Sequence, residues 1–187
     1  MQDAVVVGRP RVGKTRFVET LADFLGHETP ATPRVPTFGA SLRAWRGGGE
    51  TLPALTVKDR RGRPWLRLLD TEALREDISE RSEQRRAMAL SLLRLQEAHI
   101  VFHLLDAAQA GRLSGYHPAP LDREVHDYGV TRPVYVIIAT KIDTLAAAEG
   151  VRRLRLQFPA DPLIPVSLLT RRGLRDVRRF LAARATL

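Results

Sequence analysis

The stretch GRPRVGKT, residues 8–15, carries the residue types and spacing best suited to chemistry. Its two glycines lie five positions apart, and Lys14 and Thr15 follow the second, which fits the phosphate-binding pattern G-x-x-x-x-G-K-[ST]. The glycines allow backbone torsions and close approaches that a side chain would block. Lys14 would reach the β- and γ-phosphates of a nucleotide, and the Thr15 hydroxyl would ligate Mg²⁺. The candidate phosphate-binding residues are Gly8, Arg9, Pro10, Arg11, Val12, Gly13, Lys14, Thr15 and Arg16.

Asp70, at the end of the apolar stretch WLRLLD, is the candidate second ligand for the metal. A carboxylate at the tip of a strand beside a phosphate loop commonly serves Mg²⁺ through water. Asp is also common after strands as a cap or turn residue. Together with the phosphate loop, however, it predicts a magnesium site.

The stretch TKID, Thr140 to Asp143, follows the apolar run VYVIIA and is a candidate base-binding segment. The Asp143 carboxylate could accept hydrogen bonds from N1–H and the exocyclic amine of guanine, a donor pair that adenine lacks. The stem of Lys141 could pack over the base while its amine reaches back toward the phosphate loop. Alternatively, Asp143 caps a helix that begins at LAAAEG.

The stretch PVSLL, residues 165–169, could hold the base from the other side through Ser167 and the amide of Leu168. A plain strand-to-helix turn explains the same residues equally well.

Apolar runs that alternate with helical patterns must position these residues, and they predict an α/β fold with a mostly parallel sheet. Residues 134–139 form the most apolar run and are expected to be the central strand. Residues 28–40 and 107–120 are interpreted as loops, and 41–46 as a further extended piece. The predicted strands are residues 4–7, 52–58, 65–69, 100–105, 134–139 and 163–166. The predicted helices are residues 15–25, 78–98, 121–128, 144–157 and 173–184. We expect a six-stranded sheet with helices on both faces, in one domain over residues 1–187.

The composition is that of a soluble globular protein, with 44% hydrophobic and 27% charged residues. No apolar run approaches the roughly 20 residues of a membrane-spanning helix. The chain contains no cysteine, which excludes disulfides and thiolate metal sites. The N-terminal residues lack the basic region of a signal peptide. A cytoplasmic location without a membrane span is therefore expected.

The net charge is +9, and only Lys14, Lys58 and Lys141 among the 30 basic residues are lysines. A GC-rich genome explains most of the arginine excess. A basic face in the last third of the chain would suit RNA, the ribosome or acidic lipid. No aromatic residues alternate with these arginines, and solvated helix faces explain them equally well. They are Arg152, Arg153, Arg155, Arg171, Arg172, Arg175, Arg178 and Arg179.

In its motifs and their order, the chain resembles GTPases of the translation-factor-related class, nearest the Era, Der and MnmE group. The loop of that group commonly reads GRPNVGKS, and its guanine signature [NT]KxD is matched by Thr140, Lys141 and Asp143. Its SA[KL] signature is matched at Ser167, with Leu168 in place of the usual alanine. The resemblance implies a regulatory or assembly GTPase domain over the whole chain, which hydrolyses GTP to GDP and phosphate with Mg²⁺.

The resemblance also implies a switch threonine that contacts Mg²⁺ and the γ-phosphate. Thr37, in VPTFG, fits best by its distance from the phosphate loop, and Thr32 is the alternative.

The second switch of that family, DxxG, reads DTEA here at residues 70–73. The N–H of Ala73 can still bond a γ-phosphate, but alanine is penalised wherever switching requires a positive φ. Leu74 stands where a Ras-like glutamine would position water, and the Era, Der and MnmE group has a hydrophobic residue there too.

Arg11 stands where the potassium-activated members have an asparagine that helps to coordinate K⁺. Arginine cannot ligate a cation, but it supplies a fixed charge. The guanylate-binding proteins and atlastins have an arginine at this position, which acts as a finger in cis. We therefore expect Arg11, with Lys14 and Thr37, to be catalytic and K⁺ to be dispensable. The alternative is a solvated arginine in an arginine-rich protein.

Two rival functions remain open from the sequence. A GTP-binding scaffold or switch module with little or no hydrolysis is favoured by Ala73, whereas TKID opposes an ATP-dependent kinase. His99 and His103 lack an acidic or thiol partner in the pattern and are interpreted as packing or polar-edge residues. Dimerisation across the nucleotide face occurs in related GTPases and remains open here.

Overall fold

The computed structural model describes residues 1–25, 54–58, 61–74 and 82–184, with only the backbone for residues 82–87. The strands are β1 (Gln2–Val7), β2 (Ala54–Lys58), β3 (Pro64–Asp70), β4 (Ile100–Asp106), β5 (Val134–Thr140) and β6 (Leu163–Pro165). The helices are α1 (Lys14–Phe24), α2 (Ser82–Glu97), α3 (Ala107–Arg112), α4 (Pro120–Gly129), α5 (Ala147–Gln157) and α6 (Leu174–Arg184). The predictions for residues 28–40 and 41–46, and for Thr32 and Thr37, lie outside the described residues.

The strands form one six-stranded sheet in the order β2-β3-β1-β4-β5-β6, in which only β2 is antiparallel to its neighbour. Along β1, Ala4 and Val6 join one buried cluster and Val5 and Val7 join another, so both faces of the sheet are covered. A parallel strand that is buried on both faces reads as a continuous apolar run. The predicted six-stranded, mostly parallel sheet with helices on both faces is confirmed.

Each face has its own set of helices. α1 and α6 cover one face through residues such as Phe17, Leu21 and Leu181. Helices α2, α3, α4 and α5 contribute to the cluster on the other face, for example through Leu95 and Leu154.

The interpretation of residues 107–120 as loop is wrong for its first six residues, which form α3. Asp106 caps this helix, because its Oδ1 accepts a hydrogen bond of 3.0 Å from the backbone N of Gln109. Gly111 makes the segment look loop-like, but it permits a close crossing with α5. A Cβ at Gly111 would lie 1.8 Å from the carbonyl oxygen of Ala146.

The strand expected to be central, β5, lies second from one edge of the sheet, and β1 and β4 hold the middle. All its residues are buried all the same, because β4 and β6 flank it and helices cover both faces. The apolar sequence of β5 therefore predicted that the strand is buried, but not where it lies in the sheet.

The carboxyl ends of β1, β3, β4, β5 and β6 meet at one edge of the sheet, where α/β folds bind ligands. The register pairs Val6 with Asp70 and Asp106 with Thr140. Every described residue of the predicted site therefore lies at this edge or in the loops that leave it. None of the described helices combines the length and hydropathy that crossing a bilayer requires.

Candidate nucleotide-binding site

The loop between β1 and α1 has a backbone that requires its two glycines. Gly8 has a φ of 150°, and a Cβ there would lie 2.6 Å from the carbonyl oxygen of Leu104. Gly13 has a left-handed φ of 99° at the residue before α1 begins. Because a side chain would clash at the first position and strain the second, glycine is needed at both.

The concave side of this loop carries positive charge. Lys14 is 8% exposed, and its Nζ donates hydrogen bonds of 3.0 Å to the carbonyl oxygens of Gly8 and Arg9. Helix α1 has no side-chain cap and no acidic residue in its first turn. The positive end of the helix and a buried ammonium group are thus brought together, which suits a phosphate.

Asp70 lies beside the loop as a nearly buried carboxylate, 8% exposed. Its Oδ2 accepts a 2.6 Å hydrogen bond from the Thr15 hydroxyl, and its buried Oδ1 has no partner among the described residues. Burial raises the pKa of Asp70 to about 6, against the opposing effects of the Thr15 hydrogen bond and the Lys14 charge.

A carboxylate oxygen without a partner next to a hydroxyl matches the oxygen ligands that Mg²⁺ prefers, so these residues fit the metal. Within the described ranges, no cluster of three or more histidines and carboxylates could hold a metal ion. Among the described residues, Thr15 and Asp70 are therefore the side chains that fit the cation, and its other ligands would include water and phosphate.

The segment after β3, residues 71–74, is fastened to the phosphate loop and to β1. The Thr71 hydroxyl donates a 2.7 Å hydrogen bond to the carbonyl oxygen of Val6. The backbone N of Leu74 donates one of 3.3 Å to the carbonyl oxygen of Gly8, and the Leu74 side chain is 1% exposed. Ala73 lies half-buried between these two anchors.

Arg11 is exposed on the loop in a left-handed conformation, with φ 64°. A residue with a side chain pays a conformational cost there, whereas asparagine and glycine adopt it readily. The Arg11 guanidinium makes no hydrogen bond or ion pair with any other part of the chain that the structure describes. Its charge is therefore available to a ligand.

The loops after β5 and β6 form a second half of the site. The exposed Asp143 accepts at Oδ1 a 2.5 Å hydrogen bond from the hydroxyl of Ser167, which is fully buried. The backbone N of Thr170 donates to the same Ser167 oxygen at 3.1 Å. Helix α5 begins at Ala147 and has no side-chain cap, so the alternative of Asp143 as its cap is wrong.

Lys141 is held by a carboxylate at the end of β4. Its Nζ donates a 2.6 Å hydrogen bond to Oδ2 of Asp106, whose other carboxylate oxygen caps α3. The Thr140 hydroxyl beneath it donates to the carbonyl oxygen of Leu105 at 3.2 Å. The sequence reasoning missed Asp106, although a carboxylate at the end of the apolar run IVFHLL was a usable signal.

Leu168 connects the two halves of the site. A Cβ at Gly13 would lie 3.2 Å from Cδ1 of Leu168, so this leucine packs against the phosphate loop. The leucine in place of the expected alanine thus provides an apolar contact between the two loops.

His103 lies buried on β4, where its Nδ1 is 2.8 Å from the hydroxyl of Tyr135. Its Nε2 lies 3.8 Å from Oδ1 of the buried Asp122, an acidic partner that the sequence pattern did not reveal.

The sequence model of the family described as "50S ribosome-binding GTPase" matches residues 3–141. The GTPase Obg of Bacillus velezensis is 29% identical over 90 residues, which cover 46% of this chain and 21% of Obg.

Two solved structures share the fold. One is Era in complex with MgGDPNP and nucleotides 1506–1542 of 16S ribosomal RNA, with a TM-score of 0.71 and 18% identity over 100% of this chain and 57% of the Era chain. The other is the G domain of the T. maritima FeoB iron transporter, with a TM-score of 0.62 and 17% identity over 100% of this chain and 99% of that one. The chain thus spans about a fifth of Obg and over half of Era.

Proposed function

The chain belongs to the family of 50S ribosome-binding GTPases, and from that premise we propose that it binds GTP and hydrolyses it to GDP and phosphate with Mg²⁺. We propose further that it is a regulatory or assembly GTPase and that residues 1–187 form one GTPase domain. One observation carries the proposal. The phosphate half (Lys14, Thr15 and Asp70) and the base half (Asp143 and Ser167) lie along one sheet edge and are joined by Leu168.

The phosphate half would bind the charged end of the nucleotide. Lys14 and the loop amides would hold the β- and γ-phosphates, and Thr15 and Asp70 would hold Mg²⁺. The bound Mg²⁺ would neutralise charge on the phosphates during bond cleavage. Thr37 remains the predicted further ligand of Mg²⁺ and the γ-phosphate.

The base half would supply selectivity for guanine. Asp143 is exposed and oriented by Ser167, so its carboxylate can accept the paired donors of guanine. The family match ends at Lys141, and the assignment of Asp143 and Ser167 therefore rests on their geometry and on the TKID pattern.

Arg11 is proposed to stabilise charge that develops between the β- and γ-phosphates, in the place of K⁺. Its exposure, its lack of a partner in the described ranges and its left-handed backbone support this role, because a strained residue is retained where function requires it. Comparable arginines are worth orders of magnitude in rate. Arg11→Ala should lower kcat about a thousandfold or more and change GTP affinity little. The matched control, Arg123→Ala, changes an exposed arginine on α4.

A GTP-binding scaffold with little turnover is the second candidate. Ala73 replaces the usual switch glycine, and Thr71 and Leu74 fasten its segment to β1 and the phosphate loop. Such fastening opposes a change of conformation with nucleotide state.

The basic face formed by the arginines between residues 152 and 179, called the Arg-rich face below, is proposed to contact RNA. Era, whose fold the chain shares, was solved with a 16S ribosomal RNA fragment. A cytoplasmic location and a homodimer across the nucleotide face remain predictions from sequence, and sedimentation with and without nucleotide tests the dimer.

The deciding experiment measures GTP and ATP binding in competition, and then phosphate release from GTP in matched Na⁺ and K⁺ buffers with Mg²⁺. Preference for GTP and turnover that ignores K⁺ would support the enzyme with Arg11 in its proposed role. Turnover that requires K⁺ would remove that role. Tight GTP binding without turnover would favour the scaffold, and preference for ATP would overturn the whole assignment.

A further inference from the structure

We propose that the groove between α1 and α6 binds single-stranded RNA, an inference that deepens the RNA contact proposed above. The groove is a concave pocket whose described lining residues are Phe24 of α1 and Arg175, Arg178 and Arg179 of α6. It lies on the face of the sheet that α1 and α6 cover.

Ion pairing divides the Arg-rich face into two unlike parts. On α5, Arg152 and Arg153 share the single carboxylate of Glu149, at 2.7 Å each. On α6, the sequence LRDVRRFLAAR has four arginines and one aspartate, and Asp176 pairs with Arg179. Among the described residues of the face, α6 therefore has two exposed arginines without an ion pair, Arg175 and Arg178, whereas α5 has one, Arg155.

Two arginines of the groove are available to an anion. Arg175 and Arg178 are exposed and make no ion pair within the ranges that the structure describes. Three residues apart on a helix, they point to the same side. Arg172, in the preceding loop, extends the same charge toward the nucleotide site. Such a row of arginines suits successive phosphates of a polyanion.

The aromatic wall of the groove favours an unpaired nucleic-acid strand. Phe24 is half-buried against the core and also lines the pocket. A base stacks on an aromatic ring only when it is free of its duplex. A concave site would suit a flat membrane surface poorly, and an acidic peptide would not require the ring.

The groove adjoins the base half of the nucleotide site. The backbone N of Ser167 donates a 3.0 Å hydrogen bond to the carbonyl oxygen of Arg172. Arg171 binds Asp23 of α1 at 2.7 Å. Residues 171 and 172, which join the Ser167 loop to α6, are thus held both by that loop and by α1.

The test measures fluorescence anisotropy of a labelled oligouridylate of about twelve nucleotides, a typical single-strand site size. The full chain is used, and its GTP binding is measured in parallel. Arg175→Gln with Arg178→Gln should weaken RNA binding about tenfold and lower the magnitude of the log–log salt slope by about 1.4, since each phosphate contact on a single strand contributes about 0.7. Phe24→Leu, which keeps an apolar side chain, should weaken binding severalfold with the salt slope unchanged.

The matched control is Arg112→Gln with Arg123→Gln, which removes the same charge from α3 and α4 on the opposite face of the sheet. Equal losses in both double variants would show non-specific attraction and overturn the groove. Tighter binding of an RNA duplex than of the single strand would overturn it too. No RNA binding by the wild type, with GTP bound normally, would reject the RNA partner and leave the GTPase proposal standing.

Discussion

The two halves of the candidate site are built in different ways. In the phosphate half, Lys14 and Asp70 are each 8% exposed, and backbone carbonyl oxygens and a neighbouring hydroxyl fix them. In the base half, Asp143 is exposed and the Lys141 side chain is 40% exposed. The Ser167 hydroxyl holds Asp143, and the Asp106 carboxylate holds Lys141. Buried charge provides affinity for an anion, whereas an exposed but oriented carboxylate provides selectivity.

Removal of the buried ammonium group should have the largest effect. Lys14→Ala should lower affinity for GTP and GDP by about a hundredfold or more, because the loss of a buried charged partner costs about 2–5 kcal/mol. Isothermal titration calorimetry measures this loss. Lys58→Ala, on the edge strand β2, is the control and should bind normally. If Lys14→Ala bound GTP and GDP as tightly as the wild type, the buried charge of the phosphate half would not be the source of affinity.

A change at Asp143 should alter the choice of base. Asp143→Asn should weaken GTP binding by about a hundredfold, because an amide cannot accept both donors of guanine. It should improve binding of xanthosine triphosphate, whose second carbonyl replaces the amine and accepts from the new amide. Competition between the two nucleotides measures this change of preference from GTP to xanthosine triphosphate. If the variant bound both GTP and xanthosine triphosphate more weakly by the same factor, Asp143 would have a structural role and would not select the base.

The framework of the base half can be tested at the crossing of α3 and α5. Gly111→Ala places a Cβ 1.8 Å from the carbonyl oxygen of Ala146, so the helices must separate. We expect the free energy of unfolding to fall by about 1–3 kcal/mol, as for an overpacked core. Denaturant unfolding measures it, with the exposed Gln109→Ala on the same helix as control. An unchanged stability in Gly111→Ala would mean that the crossing is loose.

The smallest expected effect is a pH dependence of the stability, which arises from His126 and its partner Asp161 just before β6. Burial lowers the pKa of His126, but Asp127 and Asp161, at 2.9 and 2.8 Å, overcome this and raise it above its ordinary value. Its stabilising contribution is therefore complete below the unfolded pKa of about 6.5 and is lost as pH rises through the folded pKa. For this partly exposed group, we expect less than about 1 kcal/mol.

Denaturant unfolding between about pH 5 and pH 8 should show this decline in the wild type, and His126→Gln should flatten it. A steeper decline in the variant would contradict the sign.

Local chemistry made much of the phosphate half predictable. Gly8, Gly13 and Lys14 are close in sequence, and the backbone at Gly8 and at Gly13 favours glycine. The apolar strand runs were equally readable, because burial on both faces of a sheet leaves a continuous pattern. These features, with TKID, were enough to determine the fold class and the order of the site segments.

Only the tertiary structure decided how the base half is held. Ser167 meets Asp143 across 24 positions and Lys141 meets Asp106 across 35, pairs that follow from the placement of β4, β5 and β6 side by side. The helix of residues 107–112 was hidden by Gly111, whose close contact is with α5. Strand order and helix crossings depend on contacts between distant segments, and such contacts leave no local periodicity in the sequence.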